Sequence, residues 1–167
     1  AEWGEHVIPN LAYALVEKER AGRFYPGKAK DLGVPKGPLW FELQHGKDVK
    51  LPNGRIVKAS EVTGSKRPGR KIVYSGDTRF SENIVSLAKG ADLLIHESTL
   101  DDDFTERAYE EGHSTPSQAS KVASKANVMK LFLTHISSRY VGDASIMVEQ
   151  ARKIFPETYL AEDLMST

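Results

Sequence analysis

The sequence contains no cysteine. This absence excludes disulfide bridges, thiolate zinc sites and cysteine nucleophiles, and it fits a reducing, cytoplasmic location. The chain also lacks a basic segment followed by an apolar one at its start, and it has no apolar run long enough to cross a membrane. We therefore expect a soluble cytoplasmic protein with no membrane partner.

Charge is divided unevenly along the chain. The 167 residues, 40% of them hydrophobic, are enough for one folded domain with a core, and the formal net charge is zero. Residues 17–71, however, hold 14 Lys and Arg against 6 Asp and Glu, a net charge of +8, and the remainder carries −8. A basic segment of this size suits a polyanionic partner; a lysine-rich solvated loop is the alternative that charge alone leaves open.

The basic stretch is also rich in turn-forming residues, with 8 of the 13 glycines and 5 of the 8 prolines. The Leu-Pro-Asn-Gly sequence at 51–54 predicts a tight hairpin between strands at 49–51 and 55–57. Because the rest shows little periodicity, we expect an extended arm rather than a packed core. A loop this long is usually functional.

Strand and helix patterns alternate after this stretch and predict an α/β fold. The predicted strands are 71–75, 92–96, 130–134 and 158–161, and the predicted helices are 81–89, 115–126 and 143–155. Ser81, Thr115 and Asp143 are the expected N-caps, and Gln118 completes a capping box with Thr115. An apolar, β-like segment at 6–16 precedes the basic stretch.

Polar residues follow three successive predicted strands. Asp77 comes after the first, the second leads into His96 and Glu97, His135 follows the third, and His113 stands just before a helix. Taken singly, each has an ordinary explanation: a turn, a surface charge or a hydrogen-bonded structural histidine. Hydroxyl residues accompany each position: Thr78, Ser98, Thr99, Ser114, Thr115, Ser137 and Ser138. Jointly, a carboxylate and imidazoles without cysteine suit Zn²⁺ or another divalent transition metal.

Four motifs carry a family resemblance. They are Tyr-Ser-Gly-Asp-Thr at 74–78, His-Glu-Ser-Thr at 96–99, Gly-His-Ser-Thr at 112–115 and Thr-His-Ile-Ser-Ser-Arg-Tyr at 134–140. In this order and spacing, the chain resembles the carboxy-terminal half of tRNase Z, the metallo-β-lactamase-fold endoribonuclease that trims the 3′ end of precursor tRNA. The resemblance implies half of an αββα sandwich over residues 1–167, with one sheet face expecting a partner. It also implies that residues 17–70 are an inserted, protruding flexible arm (exosite) for tRNA.

The resemblance implies a role for each motif residue. Two Zn²⁺ ions per complete site would be held partly by His6, Asp77 and His135, with Asp77 bridging them. His113 would donate a proton to the leaving oxygen, and Glu97 would orient it. The residues expected to contact tRNA are Lys28, Lys30, Lys36, Gly37, Pro38, Ser137 and Arg139.

One expected motif is absent. The family's main metal motif, His-x-His-x-Asp-His, does not occur in this sequence. The resemblance therefore implies a carboxy-terminal portion that relies on an amino-terminal half, in the same or a separate chain, and it implies a homodimer. Two alternatives stay open: a non-catalytic tRNA-binding fragment, and a phosphodiesterase of this fold acting on small substrates.

Overall fold

The structure is a computed structural model that describes residues 1–166. The strands are β1 (Glu2–Trp3), β2 (Leu11–Val16), β3 (Val49–Lys50), β4 (Ile56–Val57), β5 (Lys71–Tyr74), β6 (Leu93–Glu97), β7 (Leu131–Thr134) and β8 (Thr158–Leu160). The α-helices are α1 (Pro26–Asp31), α2 (Pro38–Gln44), α3 (Ala59–Val62), α4 (Glu82–Ala88), α5 (Thr105–Glu111), α6 (Pro116–Ala126) and α7 (Ser145–Arg152). Two 3₁₀ turns lie at Asp102–Phe104 and Ser138–Tyr140.

The chain forms two compact units. One combines residues 1–16 with the chain from residue 70 onward, and the other spans Glu17–Gly69. Each unit has a hydrophobic cluster of its own.

The larger unit is built on a six-stranded sheet in the order β1-β2-β5-β6-β7-β8. Strands β5 to β8 run parallel, whereas β1 and β2 are antiparallel to their neighbours. Continuous apolar runs such as Leu93-Leu94-Ile95 are typical of parallel strands that contact other elements on both faces. The alternation of strand and helix predicted from the sequence is confirmed.

One face of this sheet is covered by α4, α6 and α7. Val73, Leu94, Leu131 and Leu133 point to these helices and are completely buried. Helix α6 packs against the sheet with mainly small side chains, because its buried positions include three alanines and a serine. This layer is the larger unit's hydrophobic core.

The other face of the sheet is apolar and partly open. Strand register places one row of side chains across it: Tyr13, Tyr74, Ile95, Phe132 and Tyr159. Tyr13 is 56% exposed and Tyr74 is 45% exposed, while Leu15 in the next row is 66% exposed. A sheet with helices on one face and an exposed apolar surface on the other matches the expected half of an αββα sandwich. Apolar patches of this kind mark contact surfaces.

Most element boundaries lie close to those expected. Helix α6 begins with Pro116 after Thr115, whose capping box with Gln118 is present. Two expected N-caps differ in detail. Ser81 precedes α4, but its side chain makes no capping hydrogen bond within residues 1–166. Helix α7 begins two residues after Asp143, at Ser145, whose main-chain N–H donates to Oδ1 of Asp143 at 2.9 Å. Strand β2 covers only Leu11–Val16 of the β-like segment. Strand β1, helix α5 and the 3₁₀ turns were not predicted.

The unit at Glu17–Gly69 is not an extended arm without a core, so that prediction is wrong. It contains α1, α2, α3 and the predicted hairpin, in which Val49 pairs with Val57. Leu43, Val57 and Val62 are completely buried in its cluster. Helices of four to seven residues give too short a periodic signal to detect in sequence, and they are stabilised mainly by packing. None of the helices within residues 1–166 is long and apolar enough to cross a membrane.

Candidate metal centre

The polar residues gather where β5, β6 and β7 end. These strands are parallel neighbours, so their carboxyl ends lie along one edge of the sheet. Asp77 follows β5, Glu97 ends β6, and His135 follows β7. In open α/β sheets this edge is where ligands bind.

The turn that presents Asp77 depends on a glycine and an asparagine. Gly76 has φ +61°, and a Cβ there would lie 2.4 Å from Nδ2 of Asn10. That same Nδ2 donates a hydrogen bond to the carbonyl of Asp77 at 2.7 Å. Only glycine fits both the left-handed backbone conformation and the close approach of Asn10. The Asn10 side chain in turn holds the main chain of Asp77.

His6 reaches the centre from the loop before β2. Its Nδ1–H donates to the carbonyl of Gly112 at 2.8 Å, which leaves Nε2 available as a ligand atom. Gly112 ends α5 with φ +87°, and a Cβ there would lie 2.5 Å from Nδ1 of His6. The glycine at the helix end therefore permits the contact that orients the imidazole.

Glu97 is the buried anion of the centre. Its side chain is 1% exposed, and Oε1 accepts from Nδ1–H of His113 at 2.9 Å and from the main-chain N–H of Thr78 at 3.0 Å. The His113 side chain is 14% exposed, and its ring contacts that of His6 with the two centroids 5.0 Å apart. A carboxylate that fixes an imidazole in this way suits both acid–base chemistry and a metal ligand.

The rings of His6, His113 and His135 form a row, in which His113 is the middle ring and His135 is at the end opposite to His6. Its ring stacks on that of His113 with centroids 5.2 Å apart, and its Nε2 is 3.7 Å from Oδ2 of Asp77. The residue has φ +55°, an uncommon conformation for a non-glycine residue. Thr99 holds the ring, with Oγ1 2.8 Å from Nδ1 of His135.

These side chains could hold a metal ion. Asp77, His113 and His135 each offer a ligand atom, and these atoms all lie within 4.8 Å of one another. One carboxylate with imidazoles is a donor set that Zn²⁺ accepts. The group includes His113, which the resemblance assigns to proton transfer. His6 does not belong to this group, but its ring contacts the ring of His113. The four side chains lie at one edge of the sheet, and the metal-binding and catalytic roles assigned to them stay predictions.

His96 precedes Glu97 but points into the core. It is completely buried, its Nδ1–H donates to the carbonyl of Glu97 at 2.7 Å, and burial lowers its pKa. Burial thus favours the neutral imidazole, which hydrogen-bonds to the main chain of Glu97 rather than contributing to the open edge.

The residues expected to contact tRNA fall in both units. Lys28, Lys30, Lys36, Gly37 and Pro38 are all exposed in the smaller unit. Lys28 and Lys30 lie on α1, and Gly37 and Pro38 begin α2. In the larger unit, the exposed guanidinium of Arg139 stacks over Phe104 at 4.4 Å, close in sequence to His135.

Ser137 is half-buried at the start of the 3₁₀ turn that carries Arg139. Its Oγ accepts from the main-chain N–H of Arg139 at 3.4 Å. The hydroxyl therefore shapes this turn.

Two residues of the centre were missed as site residues in the sequence. Asn10 clamps the Asp77 turn and Thr99 contacts His135, yet neither has a ligand-type side chain. Thr99 had a signal, because it was among the hydroxyls that accompany the strand ends. Asn10 had none, since its partner is 67 residues away.

The chain is similar to known proteins in sequence. Residues 40–136 match the model of the β-lactamase superfamily domain. A protein named ribonuclease Z from Gemmatimonas aurantiaca is 47% identical over 154 residues, covering 92% of this chain and 49% of the relative. Another from Archaeoglobus fulgidus is 45% identical over 163 residues, covering 97% of this chain and 53% of the relative. The chain thus spans about half the length of these relatives.

A solved structure gives the same fold. The metallo-β-lactamase fold protein YhfI from Bacillus subtilis aligns with 69% of this chain and 44% of its own, with a TM-score of 0.51 and 23% identity. The relatives confirm the resemblance to tRNase Z stated from the motifs, and this structure agrees with the fold.

Proposed function

Because the chain belongs to the β-lactamase superfamily and is similar to ribonuclease Z proteins over nearly its whole length, we propose that it is the carboxy-terminal part of a zinc-dependent endoribonuclease. The reaction is hydrolysis of a phosphodiester bond that releases the 3′ trailer from precursor tRNA. The single observation that carries this proposal is the convergence of Asp77, His113 and His135 at one sheet edge.

The side chains of the centre would have two roles, metal binding and proton transfer. His6, Asp77 and His135 would hold two Zn²⁺ ions together with ligands from outside this chain. When bound, the ions would supply an activated water and neutralise charge on the phosphate. The remaining imidazole, His113, has Nδ1–H on the carboxylate of Glu97 and Nε2 available. It would pass a proton from Nε2 to the leaving 3′ oxygen, with Glu97 stabilising the imidazolium.

The smaller unit would bind the substrate. Its exposed lysines Lys28, Lys30 and Lys36 belong to the stretch with a net charge of +8, which suits tRNA phosphates. Gly37 and Pro38 would shape the contacting loop, and Arg139 and Ser137 would meet the RNA end. Recognition would follow the shape of the folded RNA rather than its base sequence.

The larger unit would need a second sheet to complete the sandwich. Its open face carries Tyr13, Leu15 and Tyr74, each at least 45% exposed. Fully burying an exposed leucine side chain is worth about 1.5–3 kcal/mol. We propose that an amino-terminal half carrying the missing metal ligands covers this face, in the same or a separate chain. A homodimer of complete proteins is compatible with this arrangement.

The experiment supplies that half and measures cleavage. The chain is assayed alone and joined to the amino-terminal half of the Archaeoglobus fulgidus relative, with 3′-labelled precursor tRNA and with zinc or a chelator. We expect trailer release only from the joined protein and only with zinc. Absence of cleavage by a folded, zinc-loaded joined protein would contradict the proposal.

The role of His113 needs a separate measurement, because it lies within ligand distance of Asp77 and His135. Replacing His113 with Ala in the joined protein should leave zinc content unchanged and lower kcat strongly. Loss of zinc from this variant, with retention in the matched His45→Ala variant of the exposed histidine on the smaller unit, would make His113 a ligand instead.

A non-catalytic tRNA-binding fragment is a second candidate, favoured by the absence of His-x-His-x-Asp-His from this sequence. Titrating tRNA against the isolated chain, with and without zinc, tests it. Binding without cleavage by either the isolated or the joined protein would support this candidate. Deleting residues 17–70 tests the small-substrate alternative, since a small phosphodiester should not need the basic unit whereas precursor tRNA should.

A further inference from the structure

We propose that Thr99 is a positioning residue that connects the carboxylate of Glu97 to His135 and so holds that imidazole with its proton on Nδ1 and Nε2 toward Asp77. The proposal deepens the proposed function and rests on it only for the identity of the reaction. It is carried by a chain of hydrogen bonds that joins His113, Glu97, Thr99 and His135.

Four donors occupy the Glu97 carboxylate. Oε1 receives Nδ1–H of His113 and the main-chain N–H of Thr78. Oε2 receives the main-chain N–H of Thr99 at 3.1 Å and the Thr99 hydroxyl at 3.0 Å. A carboxylate with two donors on each oxygen acts only as an acceptor, so the hydroxyl proton of Thr99 lies between Oγ1 and Oε2.

The direction of this proton determines the tautomer of His135. A hydroxyl has one proton, and in Thr99 that proton is donated to Glu97. Its Oγ1 can then only accept at its 2.8 Å contact with Nδ1 of His135, which requires a proton on that nitrogen. The reverse arrangement would place Oγ1 and Oε2 3.0 Å apart with no proton between them.

One buried carboxylate therefore orients two imidazoles. It holds His113 directly and His135 through Thr99, and in both rings Nδ1 is engaged while Nε2 is left for chemistry. The Nε2 of His135 faces Asp77 at 3.7 Å, the arrangement needed for both side chains to serve one cation. A partner on the second nitrogen fixes the ring and raises its basicity as a ligand. Glu97 thus orients His135, the proposed metal ligand, as well as His113, the proposed proton donor.

The test compares Thr99→Val with Thr99→Ser in the 167-residue chain. Valine keeps the shape and the main-chain bond to Glu97 but removes the hydroxyl, whereas serine keeps the hydroxyl. Thr158→Val is the matched control, because Thr158 is buried and its hydroxyl donates to the carbonyl of Phe155, away from the centre. The readouts are the protonated nitrogen of His135, from long-range ¹H–¹⁵N spectra of the metal-free chain, and zinc affinity, from calorimetric titration.

We expect the wild type, Thr99→Ser and Thr158→Val to share the Nδ1–H form and similar zinc affinity. Thr99→Val should lose that preference and bind zinc about 10-fold or more weakly, the usual effect of removing a partner of a metal-bound histidine. An unchanged tautomer in Thr99→Val, or an equal loss in Thr158→Val or Thr99→Ser, would overturn the inference. Since neither readout uses RNA, failure of the endonuclease proposal would leave the result intact and would be distinguishable from it.

Discussion

Replacing Gly76 with Ala tests how the structure aims Asp77, and Gly90 offers a matched control. The two glycines have nearly the same backbone angle, φ +61° and +64°. They differ in their surroundings: a Cβ on Gly76 would lie 2.4 Å from Nδ2 of Asn10, whereas a Cβ on Gly90 would meet no atom within 4 Å.

The expected costs follow from this difference. A left-handed alanine costs about 1–2 kcal/mol at either position. Only at Gly76 must Asn10 also move, which weakens its 2.7 Å bond to the carbonyl of Asp77. A lost hydrogen bond between part-buried groups adds about 1–2 kcal/mol. We therefore expect the free energy of unfolding to fall by about 2–4 kcal/mol for Gly76→Ala and about 1–2 kcal/mol for Gly90→Ala.

Urea unfolding of the chain measures both losses, and zinc titration measures the consequence for the centre. Zinc affinity should fall in Gly76→Ala, because Asp77 shifts, and should be unchanged in Gly90→Ala. In an Asn10→Ala background the clash is gone, so Gly76→Ala should then cost no more than Gly90→Ala does. Equal losses for the two single variants, with equal zinc affinity, would refute the reasoning.

Three further predictions concern the buried histidine, the basic unit and the open face. Burial lowers the pKa of His96, whose usual value is 6.5, so the unfolded chain binds the extra proton and the free energy of unfolding should fall as pH drops below about 6.5. His96→Gln should flatten this dependence in urea unfolding at pH 7 and 5; an identical slope would contradict it. In the joined protein, reversing the charges of Lys28, Lys30 and Lys36 should raise KM for precursor tRNA and leave kcat nearly unchanged, while reversing the exposed lysines Lys89, Lys121 and Lys153 should do neither. A large fall in kcat at constant KM would count against the binding role. Replacing Leu15 and Tyr74 with Lys should reduce self-association of the isolated chain, as measured by sedimentation. Val141→Lys should not, because Val141 is 84% exposed but lies outside the sheet. Similar behaviour of both variants would argue against the open face as the contact surface.

Local sequence determined most of the larger unit. Aliphatic runs bounded by turn residues specify β5, β6 and β7, and the Thr115 capping box begins α6 because its bonds span only three residues. Because they follow three successive predicted strands, Asp77, Glu97 and His135 could also be grouped as one candidate site from the sequence. Helices α1, α2 and α3 escaped prediction because they have four to seven residues and their stability comes from a shared core.

The amino-acid sequence by itself determined the kinds of candidate ligand, their order and the elements that carry them, because these depend on residue type and short-range periodicity. Only the tertiary structure decided which nitrogen of each imidazole is free, since that depends on partners such as Gly112 for His6 and Thr99 for His135, 106 and 36 residues away. The same holds for the turn at Gly76, where Asn10 leaves no room for a side chain. Contacts between distant segments form only when the chain folds, so no local pattern records them.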